Sequence, residues 1–184
     1  MIEIRWHGRG GQGAVTTVEM LSQAAIAEGK YAQGFPSFGP ERRGAPVAAF
    51  NRVDEKQIKI RSGIYKPDVV VVLDPTLIGL VNVTDGLKEG GVLIVNTAKS
   101  PEEVRKNTGF RGTVATVDAT KIAREELGVP ITNTTMLGAV IKAVSPIKVD
   151  SLTDLLKHRF GRLAQRNMTA LKRAFTELNI LKAA

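Results

Sequence analysis

At 184 residues, with 43% hydrophobic and 24% charged residues, the chain has the length and balance of one soluble globular domain with a substantial core. It contains no cysteine, which excludes disulfides, thiolate chemistry and a cysteine-ligated iron–sulfur cluster; its two histidines, His7 and His158, cannot build a histidine-rich metal site by themselves. A net charge of +8 suits anionic cofactors or an acidic partner, while 5% aromatic residues and the lack of a finger or RNA-platform motif argue against nucleic acid.

The chain opens with a short apolar strand, Ile2 to Trp6, a glycine-dense turn, His7 to Gly13, and a helix from Ala14. Gly8, Gly10 and Gly13 stand at G-x-G-x-x-G spacing. Glycine there permits a tight turn and a close backbone approach, and the helix behind it aims unpaired N–H groups and the positive end of its dipole at an anion, most often a phosphate. A nicotinamide-binding unit needs an acidic residue about 20 positions later for the ribose hydroxyls. The stretch from Lys30 to Ser37 has no Asp or Glu, so a standard dinucleotide site is disfavoured.

Next comes a loop from Gly34 to Pro46 with three glycines, three prolines, two phenylalanines and the pair Arg42-Arg43. Loops this long within a domain tend to be functional. The arginines could clamp a phosphate or carboxylate, or pair with Glu41; the phenylalanines, Phe35 and Phe38, need a cover.

Val47 to Val53 and Gln57 to Arg61 are predicted to form a hairpin around Asp54-Glu55-Lys56. The β-branched run Val69 to Leu73, bounded by Pro67-Asp68 and Asp74-Pro75, predicts a parallel strand buried on both faces. Short helical pieces follow at Ile78 to Val83 and, with Ser100 as cap, at Pro101 to Asn107; strands follow at Val92 to Asn96 and Thr113 to Val117. Ala119 to Leu127 predicts a helix closed by Gly128, and Thr135 to Val144 a buried helix ended by Pro146. The tail from Leu152 is predicted helical, capped by Ser151 and broken near Gly161, with an apolar stripe of Ala164, Met168, Leu171, Phe175 and Leu178 folded onto the core. Its basic residues fit a solvated face.

These elements predict an α/β fold: a three-layer α/β/α single domain over residues 1–184. The sheet is mainly parallel and Rossmann-like, with an antiparallel hairpin insert and a C-terminal helix; ligands belong at the strands' carboxyl ends. No apolar run has membrane-span length and no signal-peptide pattern opens the chain, so a cytoplasmic setting without membrane contact is expected.

Four stretches together carry a family resemblance: Gly8-Arg9-Gly10-Gly11-Gln12-Gly13, Ser37 to Pro46, Pro67 to Asp74, and Asn133 with Met136-Leu137-Gly138. The chain resembles the gamma subunit of 2-oxoacid:ferredoxin oxidoreductases, the pyruvate/2-oxoisovalerate type in particular, over nearly its whole length. The resemblance implies a subunit that is not catalytic alone. Its complex would turn a 2-oxoacid and coenzyme A into acyl-CoA and carbon dioxide and reduce ferredoxin. Thiamine diphosphate, magnesium and 4Fe-4S clusters would sit on alpha, beta and delta partners, in an anaerobic setting. The Glu41 to Pro46 form leans toward pyruvate or branched-chain oxoacids.

This chain would flank the active site. Gly8, Arg9, Gly10, Gly11, Gln12, Gly13, Arg42 and Arg43 are candidates for a phosphate of coenzyme A, and Phe35, Ser37, Phe38, Glu41, Gly44 and Asn133 for an interface or active-site loop. No acid, base, nucleophile or metal ligand is assigned. The rival readings are a structural adaptor without ligand contacts, a free-standing nucleotide-binding protein and, last, a nucleic-acid binder.

Overall fold

Four consecutive valines leave a strand no polar side to turn to water, so Val69–Val72 must lie inside a sheet covered on both faces. The computed structural model, which describes residues 1–37 and 43–183, places it there. All four valines are at most 1% exposed. Among the described residues the sheet has seven strands: β1 (Ile2–Arg9), β2 (Tyr31–Pro36), β3 (Pro46–Asp54), β4 (Val69–Val72), β5 (Val92–Asn96), β6 (Thr113–Val117) and β7 (Asn179–Leu181). They lie in the order β2-β3-β1-β4-β5-β6-β7. The pairings β1–β4, β4–β5 and β5–β6 are parallel. The outer pairings β2–β3, β1–β3 and β6–β7 are antiparallel.

The helices are α1 (Ala14–Ala27), α2 (Pro101–Thr108), α3 (Ala119–Leu127), α4 (Asn133–Val144), α5 (Thr153–Phe160) and α6 (Ala164–Glu177). They are shared unequally between the two faces. Residues of α1, α3, α4, α5 and α6 pack with Ile4, Trp6, Val69, Val71 and Ile94 in the larger core. On the other face Val104 of α2 and Leu77 of a 3₁₀ turn, Pro75–Gly79, close a smaller core on Val70, Val72, Leu93 and Val95.

Local chemistry explains the element ends. Ser100 and Glu103 form a reciprocal capping box at α2, and Asp118 accepts from the Lys121 N–H at the start of α3. Buried Asn51 joins three elements: its Oδ1 accepts from Trp6 Nε1 at 2.9 Å, and its Nδ2 donates to Val18 O and Ser22 Oγ on α1. Satisfied in this way, a polar group in the core fixes how α1 sits on β1 and β3.

Several expectations need correction. The predicted hairpin does not form, because β3 pairs with Tyr31–Pro36 and residues 57–61 carry no strand. The Gln57 to Arg61 alternation instead runs beside the sheet edge, where Ile60 O accepts from Gln33. Phe35 therefore lies on β2 and not in a loop. β1 continues through Gly8 and Arg9, past the predicted end at Trp6. The predicted helix at Ile78 to Val83 is replaced by the 3₁₀ turn Pro75–Gly79. Ser151 does not cap α5; it lies in a 3₁₀ turn and donates from Oγ to Glu28 at 2.6 Å. The edge strand β7 escaped prediction. The apolar stripe of α6 does meet the core, and α4 is as buried as its composition suggests.

Candidate functional site

β1 is the point where the strand order reverses: the chain leaves it first toward β3 and β2, then crosses back to β4 on its other side. In open α/β sheets ligands bind beyond the carboxyl ends of the strands at such a switch point. Here the carboxyl ends of β1 and β4 present Arg9 and Asp74, and the two glycine loops meet above them.

The turn from β1 to α1 needs glycine at Gly11 and Gly13, which hold φ of 94° and 80°. Gly8 and Gly10 have no positive φ, so the G-x-G-x-x-G spacing mislocates the turn by one glycine. At Gly8 the packing is close: a Cβ there would come within 3.2 Å of Leu73 Cδ1, which would have to give by a few tenths of an ångström. At Gly13 a Cβ would meet Asn133 Nδ2 at 2.5 Å. Asn133 opens α4 and is buried, so it is packed against the turn rather than displayed on a loop.

Gln12 folds its side chain back. Its Oε1 accepts from the Arg9 N–H at 2.7 Å and its Nε2 donates to Asp74 Oδ2 at 2.9 Å. The same Oδ2 accepts from Arg9 Nε at 3.0 Å. Asp74 Oδ1 accepts from the Thr76 N–H and hydroxyl at 3.0 and 2.6 Å. Arg9 also donates to Thr76 Oγ1 and Gly44 O, at 2.8 and 3.1 Å. Partial burial opposes the charge of Asp74, but the bonds from Thr76 and Gln12 and the charge of Arg9 outweigh it and hold its carboxyl below the usual range.

The second loop returns along the first. Gly10 N–H donates to Ala45 O at 2.9 Å, Gly44 N–H donates to Gly10 O at 3.0 Å, and Gly10 and Arg43 form a parallel bridge. Sequence reasoning placed both loops at one site but not this seam. It also missed Asp74 and Thr76, although an aspartate directly after a buried strand is a visible signal. Phe38, Glu41 and Arg42 lie outside the described residues. Arg43 and Gly44 are exposed; Ser37 is exposed and donates its N–H to Ala48 O. Phe35 is half-buried and stacks on Phe50, with centroids 5.4 Å apart.

Above the seam, a cleft of about 300 Å³ is lined by Arg9, Gly10, Gly11, Gly13 and the first residues of α1. Gly13 at the start of α1 offers no side chain to cap it, and the helix's first turn carries no acid. Gly10 and Gln12 turn their N–H groups into the protein, while the first turn of α1 has no intrahelical acceptors to use. The arrangement can bind an anion. Among the described residues no three His, Cys, Asp or Glu side chains gather closely enough to hold a metal ion, and no helix is long and apolar enough to cross a membrane.

The model of the family described as pyruvate ferredoxin/flavodoxin oxidoreductase matches residues 3–177. The chain belongs to that family. A relative from Thermococcus kodakarensis named pyruvate/ketoisovalerate oxidoreductases common subunit gamma is 57% identical, over 96% of this chain and 97% of that protein. The pyruvate synthase subunit PorC of Methanosarcina barkeri is 52% identical over 85% of each chain. The crystal structure of the pyruvate oxidoreductase subunit PORC of Thermotoga maritima superposes with a TM-score of 0.89 at 41% identity, covering 98% of both chains. The resemblance resting on the two glycine loops is therefore borne out, as is the α/β fold, which this oxidoreductase chain shares with PORC.

Proposed function

We propose that this chain is the gamma subunit of a multi-subunit pyruvate-type 2-oxoacid:ferredoxin oxidoreductase, and that its glycine turn takes a phosphate of coenzyme A beside the reaction centre of its neighbours. In this reading the alpha, beta and delta chains carry thiamine diphosphate, magnesium and the 4Fe-4S clusters, and ferredoxin accepts the electrons. The complex releases acyl-CoA and carbon dioxide. This chain contributes binding and orientation.

The observation that carries the ligand part is the uncapped, acid-free N-terminus of a 14-residue helix, opening into a cleft at the switch point of the sheet. Backbone N–H groups and the helix dipole favour a phosphate there. Arg43, exposed beside Gly10, would supply counter-charge, and so would its chain neighbour Arg42, which lies outside the described residues. Arg9 acts one step back, since its donors to Asp74, Thr76 and Gly44 hold the two loops together.

That same engagement of Arg9 favours a second reading, a structural adaptor with no ligand contact. The assembled complex separates the two. With Arg42→Ala and Arg43→Ala combined, the Michaelis constant for coenzyme A is expected to rise roughly tenfold, equivalent to about 1.4 kcal/mol of lost binding. The constant for the 2-oxoacid should not move. An unchanged coenzyme A constant in an intact complex supports the adaptor.

A further inference from the structure

The two faces of the sheet are not equally covered. On the α2 side, among the described residues, no helix covers β1, β3 and β2 as α1 does on the other face; residues 60–65, Val83 and Asp85 border that area. The strand register sets three rows of side chains across it. Glu3, Arg52 and Gln33 form one row and satisfy one another: Arg52 donates to Glu3 at 2.8 Å and to Gln33 at 3.2 Å. The middle row is Arg5, Phe50 and Phe35. His7 and Ala48 begin the third, which ends at Ser37.

The middle row is the floor of a cleft of about 670 Å³, walled by Arg61, Tyr65 and Asp85. Its contents do not balance. Arg5 is only 9% exposed, and among the described residues its Nη2 donates to the carbonyls of Val83 and Asp85 alone, at 3.0 and 2.5 Å. Its Nε is buried with no partner among the described residues. Asp85 supplies some counter-charge, but among the described residues no carboxylate hydrogen-bonds the buried guanidinium, which leaves its burial only partly offset. Among the described residues Asp85 is the single acid in the lining, against Arg5 and Arg61. Tyr65, at the rim, is 77% exposed and joins the half-buried Phe35 and Phe50 in one lining. Aromatic and arginine side chains together on an open surface are the composition of an interface core.

We infer that this cleft is where a neighbouring subunit of the oxidoreductase seats a segment bearing a carboxylate flanked by apolar side chains. The inference rests on the gamma-subunit reading. The carboxylate meets Arg5 and Arg61, and the apolar flanks cover Phe35, Phe50 and Tyr65. The coenzyme A cleft lies elsewhere, beyond the carboxyl end of β1, so occupation of the two is compatible.

The test uses the complex made by co-expressing this chain with its partner subunits. Arg61→Glu combined with Tyr65→Asp changes two exposed side chains, so the free chain should keep its circular dichroism and unfolding midpoint. The complex should dissociate at least about tenfold more readily, because two like charges then face the partner's carboxylate. Arg166→Glu on α6, on the opposite side of the sheet, is the control and should assemble as wild type. Amide exchange across residues 33–37, 48–50 and 61–65 should slow when the wild-type complex forms. Normal assembly of the double variant, with those amides exchanging as in the free chain, overturns the inference and leaves the gamma-subunit reading standing. A homodimer of the free chain that the double variant disperses overturns it in favour of a second copy. Failure of the wild-type chain to co-purify with the partner subunits overturns both.

Discussion

His7 stands on β1 two residues from Arg5, on the same face. Burial pushes its imidazole down from 6.5 to about 4, and the charge of Arg5 pushes in the same direction. Its Nε2 is buried without a partner among the described residues. The folded protein thus holds a neutral histidine, whereas the unfolded chain protonates it at the ordinary value. Unfolding takes up a proton between those two values, so stability is complete above pH 6.5 and falls as the solution becomes more acidic. One pKa unit corresponds to about 1.4 kcal/mol, so the unfolding free energy should drop by about 2 kcal/mol from pH 7 to pH 5 and by about 3 kcal/mol by pH 4. Asp74 and Glu28, whose carboxyls lie below their usual range, lose their contributions at more acidic pH. Urea unfolding followed by circular dichroism at pH 7, 6 and 5 measures the slope. In His7→Gln the loss over that interval should shrink below about 0.5 kcal/mol, whatever the substitution does to stability at pH 7. Parallel curves for the two proteins would refute the assignment of a neutral, desolvated imidazole.

Two further predictions concern packing and the loop seam. A Cβ at Gly138 would press on the carbonyl of Leu171, so Gly138→Ala must push α4 and α6 apart. Overpacking of about 1–3 kcal/mol should outweigh the helix-propensity gain of about 1 kcal/mol and lower the urea midpoint, while Gly90→Ala, in open space, should be neutral or mildly stabilising. Asp74→Asn removes the counter-charge of Arg9 and one of the acceptors used by Gln12 and Thr76. It should cost about 1–2 kcal/mol in urea unfolding, and in the assembled complex it should weaken coenzyme A binding by loosening the turn; unchanged values in both assays would show that the seam does not depend on this carboxylate.

Much of this fold is legible in the chain because local rules and tertiary environment agree. The β4 valines have no polar alternative, Ser100-Pro101 with Glu103 writes a helix start, Gly128 writes an end, and the spacing from Ala164 to Leu178 writes a buried stripe. Where two local solutions compete, the reading fails. Gln57 to Arg61 alternates as a strand should, yet β3 pairs with Tyr31–Pro36, because Gly34 lets β2 lie against Val18 and Ser22 of α1. No window on the sequence contains that contact.

The candidate site divides in the same way. Glycine density, the arginine pair and the absence of cysteine are properties of residue identity, and they lead as far as a candidate anion site in a chain without thiolate chemistry; the oxidoreductase family was legible only through the resemblance of four stretches. Which glycines bend the chain, that Arg9 and Gln12 converge on Asp74, and that Arg5 lies under an aromatic cleft depend on residues 45 to 80 positions apart meeting across the sheet. Strand order and register decide such meetings, and both are set by the packing of the whole core rather than by any segment's own preference.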